Sequence, residues 1–143
     1  MATIARVLAG LSVVAWLVAV FTPLTSNEIT GDTRLADVVA EAPWVIPFAA
    51  VPVLVAVLVA LTRPRLPVAV LAIAIGGLCL TMILAMPMGE VLWDGMDDQG
   101  RPIGGMETDV RSIGWFAALA GSLLLAAAGA VALRPATTAE PAK

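Results

Sequence analysis

The sequence predicts an all-α membrane protein: four transmembrane helices in an up-down-up-down bundle, a short interfacial helix in the first long loop, and room for a small hairpin in the second. Three observations predict it. Of the 143 residues, 60% are hydrophobic and 13% charged, with a mean hydropathy of +0.97, whereas a soluble domain is roughly half apolar and a quarter charged. Four apolar runs, at about 4–24, 44–61, 66–86 and 113–133, have the length and composition to cross a hydrocarbon core, and none carries a charge in its middle. Two polar segments, 25–43 and 87–112, and one short basic link separate them.

The first run starts with Arg6 ahead of an apolar stretch, the pattern of a secretion signal, but continues to Leu24 without a small-x-small cleavage site before Thr22-Pro23. It is read as an uncleaved signal anchor. Trp16 lies in its middle and is expected to pack against a neighbouring helix. In the segment that follows, 32–42 has Asp32 or Thr33 as a cap and Leu35, Val38, Val39 and Ala42 at one-face spacing, with Asp37 and Glu41 pointing to water. This is the interfacial helix.

The second run contains Pro47 and Pro52, both read as kink positions. Pro52 cannot donate to the carbonyl of Phe48 and its ring crowds that carbonyl. The link Arg63-Pro64-Arg65 is too short for anything but a tight antiparallel turn, and Pro67 suits the first turn of the third run. In that run Ala72 and Gly76 form a small-xxx-small pair on a face with Ala69 and Cys79. The fourth run repeats Gly114, Gly121 and Ala128 every seven residues, with Ala118, Leu125 and Ala132 at the same interval and Gly129 beside them. Lipid tails supply no hydrophobic drive between helices, so small residues that let backbones approach are the expected packing interface, and the period suits left-handed crossing. The first run offers Ala5, Ala9, Ser12 and Ala19.

The second long loop has Asp97-Asp98-Gln99-Gly100 before Arg101-Pro102, a turn signal flanked by short apolar stretches, consistent with the hairpin. Trp93, Asp94, Asp97, Asp98 and Arg101 are its candidate partner-contact residues. Its acids lack the one-three-five spacing of a calcium loop, so a solvated acidic loop is the preferred reading and no metal site is expected.

Counting charges gives the orientation. Arg6, Arg63, Arg65, Arg134 and Lys143 fall on one side, and Arg34, Arg101 and Arg111 on the other with ten of the eleven acids. The positive-inside rule places both termini in the cytoplasm and both long loops outside the plasma (inner) membrane. Trp44, Trp93 and Trp115 then sit at the outer interface, where indoles favour the headgroup region. One domain covers 1–135, and 136–143 is expected to be a disordered cytoplasmic tail.

Composition excludes much chemistry. There is no His and no Tyr, and the single Cys79 lies in an apolar span where its thiol is inert. No catalytic residue and no cofactor are expected, since Ser12 and Ser122 lack a base near them in sequence. A proton-coupled pump normally keeps a titratable group inside the membrane, and none is present mid-span. The net charge of −3 argues against nucleic acid.

The motif Arg63-Pro64-Arg65-Leu66-Pro67, together with Gly114-Trp115 and Arg134-Pro135 at the ends of a Gly/Ala/Leu-rich last span, resembles small actinobacterial four-helix membrane proteins of the tryptophan-operon-associated kind. The resemblance covers the chain as an outline and implies topology, with no assigned activity. The composition is also similar to accessory subunits of mycobacterial membrane complexes, such as Mce-type lipid importers or respiratory supercomplexes. The leading expectation is therefore a non-catalytic accessory subunit of a larger membrane complex, an envelope lipid-transport assembly ahead of a respiratory one. A second is a stand-alone lipid or small-molecule binding protein using a groove near the Pro-containing span. A third, an enzyme acting on a lipid headgroup, requires Asp94, Asp97 and Asp98 to converge in a concave site.

Overall fold

Pro23 ends the first helix. Proline has no N–H to donate and disfavours helical geometry in the residue before it, so helix α1 spans Ala2–Phe21 and Thr22 closes it, its N–H and Oγ1 both donating to the Val18 carbonyl (3.0 and 2.7 Å). In this computed structural model, residues 2–27, 31–62, 65–86 and 89–134 are described. The chain continues as strand β1 (Pro23–Asn27), β2 (Gly31–Arg34), α2 (Leu35–Glu41), a 3₁₀ turn (Pro43–Val45), α3 (Ile46–Leu61), α4 (Leu66–Leu84), β3 (Glu90–Met96), β4 (Pro102–Thr108), β5 (Val110–Arg111) and α5 (Ile113–Leu133). The tail 136–143, the link residues Arg63 and Pro64, and the side chains of Trp44 and Trp93 lie outside the described residues.

The protein is mostly helical, with small sheets. Helices α1, α4 and α5 are long and apolar enough to cross a membrane. Helix α3 has 16 residues and rises about 24 Å, less than a hydrocarbon core of roughly 30 Å. The expectation of helices with a single hairpin is corrected by a further, three-stranded sheet. The run read as 4–24 stops at Phe21, and its last residues instead enter β1, the middle strand of an antiparallel sheet ordered β2-β1-β5. Strand β5 comes from the second long loop, with Thr25 opposite Arg111 and Ser26 opposite Val110. The two loops are thereby one structure.

The interfacial helix is shorter than 32–42, because Asp32 and Thr33 pair in β2 with Ser26 and Thr25. Its cap is Arg34, whose N–H donates to the Asp37 carboxylate at 3.1 Å. Strands β3 and β4 form the hairpin, paired from Glu90↔Thr108 to Met96↔Pro102. Gly100 has φ +73°, a left-handed geometry that glycine adopts without strain.

Pro47 is no kink position. It lies in the first turn of α3, where the missing N–H is an orphan in any case. Only Pro52 removes an interior helical bond, and its ring is buried.

Helix α5 is the hub, packed extensively on α1 and α4, while α3 rests mainly on α1 and less closely on α4. The small residues make this approach possible. A Cβ added at Gly76 would stand 2.7 Å from the Ala126 nitrogen, one at Gly129 2.6 Å from the Ala69 carbonyl, and one at Gly114 2.6 Å from the Pro23 carbonyl. Ser12 Oγ donates to the Gly121 carbonyl at 2.7 Å, tying α1 to α5. At the end of the bundle away from the sheets, Arg6 reaches the Thr62 carbonyl past the last turn of α3 (3.5 Å).

Candidate functional site

Small residues close the bundle along most of its length, but not at its sheet end. There the buried face of α4 changes from Ala69, Ala72, Gly76 and Cys79 to Ile83, and that of α5 carries Trp115 beside Gly114. A cavity of about 460 Å³ lies between the helices there. Helix α1 supplies Trp16, α3 Phe48, the end of α4 Met82 and Ile83, and α5 Trp115 and Ala118. Leu24 of β1 and Leu35 of α2, both buried, complete the wall from the sheet side. The volume falls in the range of about 300–1,000 Å³ typical of small-molecule sites.

A second cleft of about 350 Å³ lies beside the first, where α3 and α4 pack loosely around Pro47, Pro52, Ile75 and Cys79. Phe48 and Met82 line both. Met82 is half exposed (50%) on a flexible, unbranched side chain.

The aromatic rings are fixed by specific contacts. Trp115 donates its Nε1–H to the Ile83 carbonyl at 3.2 Å, an acceptor in the last turn of α4 that also takes the Met86 N–H at 3.3 Å. Trp16 meets Phe48 edge to face, centroids 5.9 Å apart, and its pyrrole edge lies on Gly121, where a Cβ would fall 2.7 Å from Cδ1. The Trp16 Nε1–H is fully buried with no acceptor among the described residues. On the sheet side, the Arg111 guanidinium stacks over Trp115, 4.4 Å from the ring centroid.

The residues predicted from sequence divide into two groups. Gly114, Ala118, Gly121, Ala128 and Gly129 of α5 and Ala72 and Gly76 of α4 are all buried inside this chain. They hold the protein's own helices together, and Ala118 also lines the cavity. The hairpin residues lie apart from this cavity, and the Trp93 side chain is outside the described residues. Asp94 and Asp98 are exposed, and Asp97 is turned onto its own loop: its carboxylate accepts the N–H groups of Gln99 and Arg101 and pairs with the Arg101 guanidinium at 2.9 Å. Those bonds, the Arg101 N–H first, hold the Asp97 carboxyl below its ordinary pKa. Among the described residues no group of three or more acids and cysteines is placed to hold a metal.

Sequence reasoning did not single out Leu24, Leu35, Phe48, Met82 or Ile83 as a wall. The available signal was aromatic placement: of four Trp and three Phe in the chain, Trp16, Phe48 and Trp115 come from three helices to one cavity. Scans against protein-family models, curated proteins and solved structures each find no match.

Proposed function

We propose that the chain is a multi-pass plasma-membrane protein, both termini cytoplasmic and both long loops outside, that binds an apolar chain in the cavity at its outer end. One observation carries the reading: α4 and α5 are closed on each other by glycine-mediated backbone contact at Gly76 and Gly129, yet at the sheet end the bundle keeps an apolar cavity walled by two tryptophans and a phenylalanine. A polar catalytic pocket would present titratable groups, and this wall presents none. The adjoining cleft between α3 and α4 gives a bound chain room to extend past Met82.

The test uses brominated acyl chains, which quench tryptophan fluorescence on contact. In a Trp44→Phe/Trp93→Phe background, Trp16 and Trp115 remain. Methyl dibromostearate added to the full chain in non-brominated detergent is expected to quench them saturably. Ala118→Leu, which puts three more carbons into the cavity, is expected to weaken the effect by on the order of tenfold, about 1.4 kcal/mol. Quenching that rises linearly without saturating, or that ignores Ala118→Leu, removes the reading.

A second reading, the non-catalytic accessory subunit of a larger membrane complex, has its own support in the hairpin. Leu92 and Met96 are 80% and 74% exposed there, and the hairpin makes few contacts with any other part of the chain. Fraying the hairpin separates the readings, because cavity binding is then retained while association with a larger complex is lost.

A further inference from the structure

The cavity is apolar, but a cation sits over one of the rings that line it. Arg111 lies in β5, two residues before α5, and stacks on the Trp115 ring that forms part of the cavity wall. Stacking engages the flat face of a guanidinium and leaves its in-plane N–H groups free to bond. Among the described residues Arg111 donates no hydrogen bond and has no carboxylate partner. The acid nearest in sequence is committed elsewhere. Asp109 accepts the Asn27 Nδ2–H at 3.0 Å and lies against Gly89. Yet this loop region is rich in acids, and Arg101, the other arginine of the second long loop, does pair with one. The exception is the arginine held on the cavity wall.

We infer that the cavity takes an anionic amphiphile from the membrane, its acyl chain between Trp16, Phe48 and Trp115 and its ionised headgroup on Arg111. The inference rests on the cavity-binding reading and adds the class of ligand. Trp115 links both halves, since it lines the cavity and holds the Arg111 guanidinium 4.4 Å from its ring centroid. Its indole is anchored to the Ile83 carbonyl, so the guanidinium rests on a fixed support. A carboxylate or phosphate there meets a planar, bidentate donor at the membrane boundary, where the dielectric is lower than in water and the pairing is stronger.

The experiment compares dibromostearate, ionised at mildly alkaline pH, with its methyl ester, in the same Trp44→Phe/Trp93→Phe protein and neutral detergent. The acid is expected to quench at about tenfold lower concentration than the ester, the size of one charge-assisted bond at a partly exposed site. Arg111→Gln is expected to erase that difference and leave ester quenching as it was, and Arg111→Lys to restore part of it. Arg111 is exposed and its β5 pairing is through backbone, so neither substitution disturbs the fold. Equal quenching by acid and ester in the parent protein overturns the headgroup assignment and leaves the cavity reading standing. A preference for the acid that survives Arg111→Gln overturns the role of Arg111. Saturable quenching by neither probe overturns the cavity reading, and this inference with it.

Discussion

Gly76 and Gly77 are adjacent on α4 and have opposite surroundings. A Cβ at Gly76 would meet the Ala126 nitrogen at 2.7 Å and the Ser122 carbonyl at 2.8 Å, whereas one at Gly77 meets nothing within 4 Å. Backbone atoms of a helix cannot move aside as a rotamer can, so Gly76→Ala forces α4 away from α5. The cost of such overpacking is about 1–3 kcal/mol, set against roughly 1 kcal/mol gained from replacing a helical glycine. Gly76→Ala is therefore expected to lower the thermal midpoint in detergent, and Gly77→Ala to leave it unchanged or raise it. Equal effects would show that α4 and α5 do not approach this closely. Trp16 shows the other side of such packing. An Nε1–H without an acceptor, as here among the described residues, costs on the order of 1–3 kcal/mol, and the indole is retained with its edge on Gly121 and its ring against Phe48. That Trp16 packs against neighbouring helices was legible from its mid-span position. That it walls a cavity was not, because a void depends on which side chains of other helices meet it.

At the scale of elements, the hairpin is the most independent part of the molecule. Its two strands pair along their whole length, and the turn is held by Asp97, which accepts from Gln99 and Arg101 and pairs with the Arg101 guanidinium. The Asp97 carboxyl is held below its ordinary pKa in the folded turn. Its contribution is therefore fully present above the ordinary aspartate range, near pH 4, and is lost as the pH falls through the lowered value. Amide exchange at Gln99 and Arg101 is expected to accelerate over that acid window while α5 amides stay protected, and Asp97→Ala is expected to give the same acceleration at neutral pH. If the hairpin docks the chain onto a larger complex, Asp97→Ala also releases it from that complex in mild detergent with cavity binding intact. Unchanged exchange in Asp97→Ala would remove the turn from its role. The turn was readable from Asp97-Asp98-Gln99-Gly100, because local hydrogen bonding decides it. The sheet β2-β1-β5 was not, since Pro23–Asn27 has no strong alternation and its partners are distant in sequence. Four apolar runs were found, but the end of the first was misplaced by counting Leu24 as span. Leu24 is buried by the fold, and hydrophobicity alone does not distinguish that from burial in lipid.

For the whole molecule, joining the two long loops into one sheet constrains how the chain crosses the membrane. Thr25 and Arg111 are paired neighbours, so the end of α1 and the start of α5 must lie on the same side. The Arg6 contact to the Thr62 carbonyl places the start of α1 beside the end of α3 on the other. An odd number of crossings between β1 and β5 is incompatible with the first pairing, so α3 must cross together with α4 or neither does. Its 16 residues reach across only if the preceding 3₁₀ turn and the residues after it add to the span, or if the bilayer thins locally. The proposed orientation puts Arg6, Arg65 and Arg134 on the cytoplasmic face. Fluorescent-protein fusions at either terminus are expected to be bright in the cytoplasm. A single cysteine at Gln99, in a Cys79→Ala background, is expected to react with a membrane-impermeant maleimide in intact cells, while one at Thr62 reacts only after lysis. Labelling of both sites in intact cells would mean that α3 and α4 do not form a crossing pair, and the cavity between α1, α3, α4 and α5 would then have to face water instead of lipid.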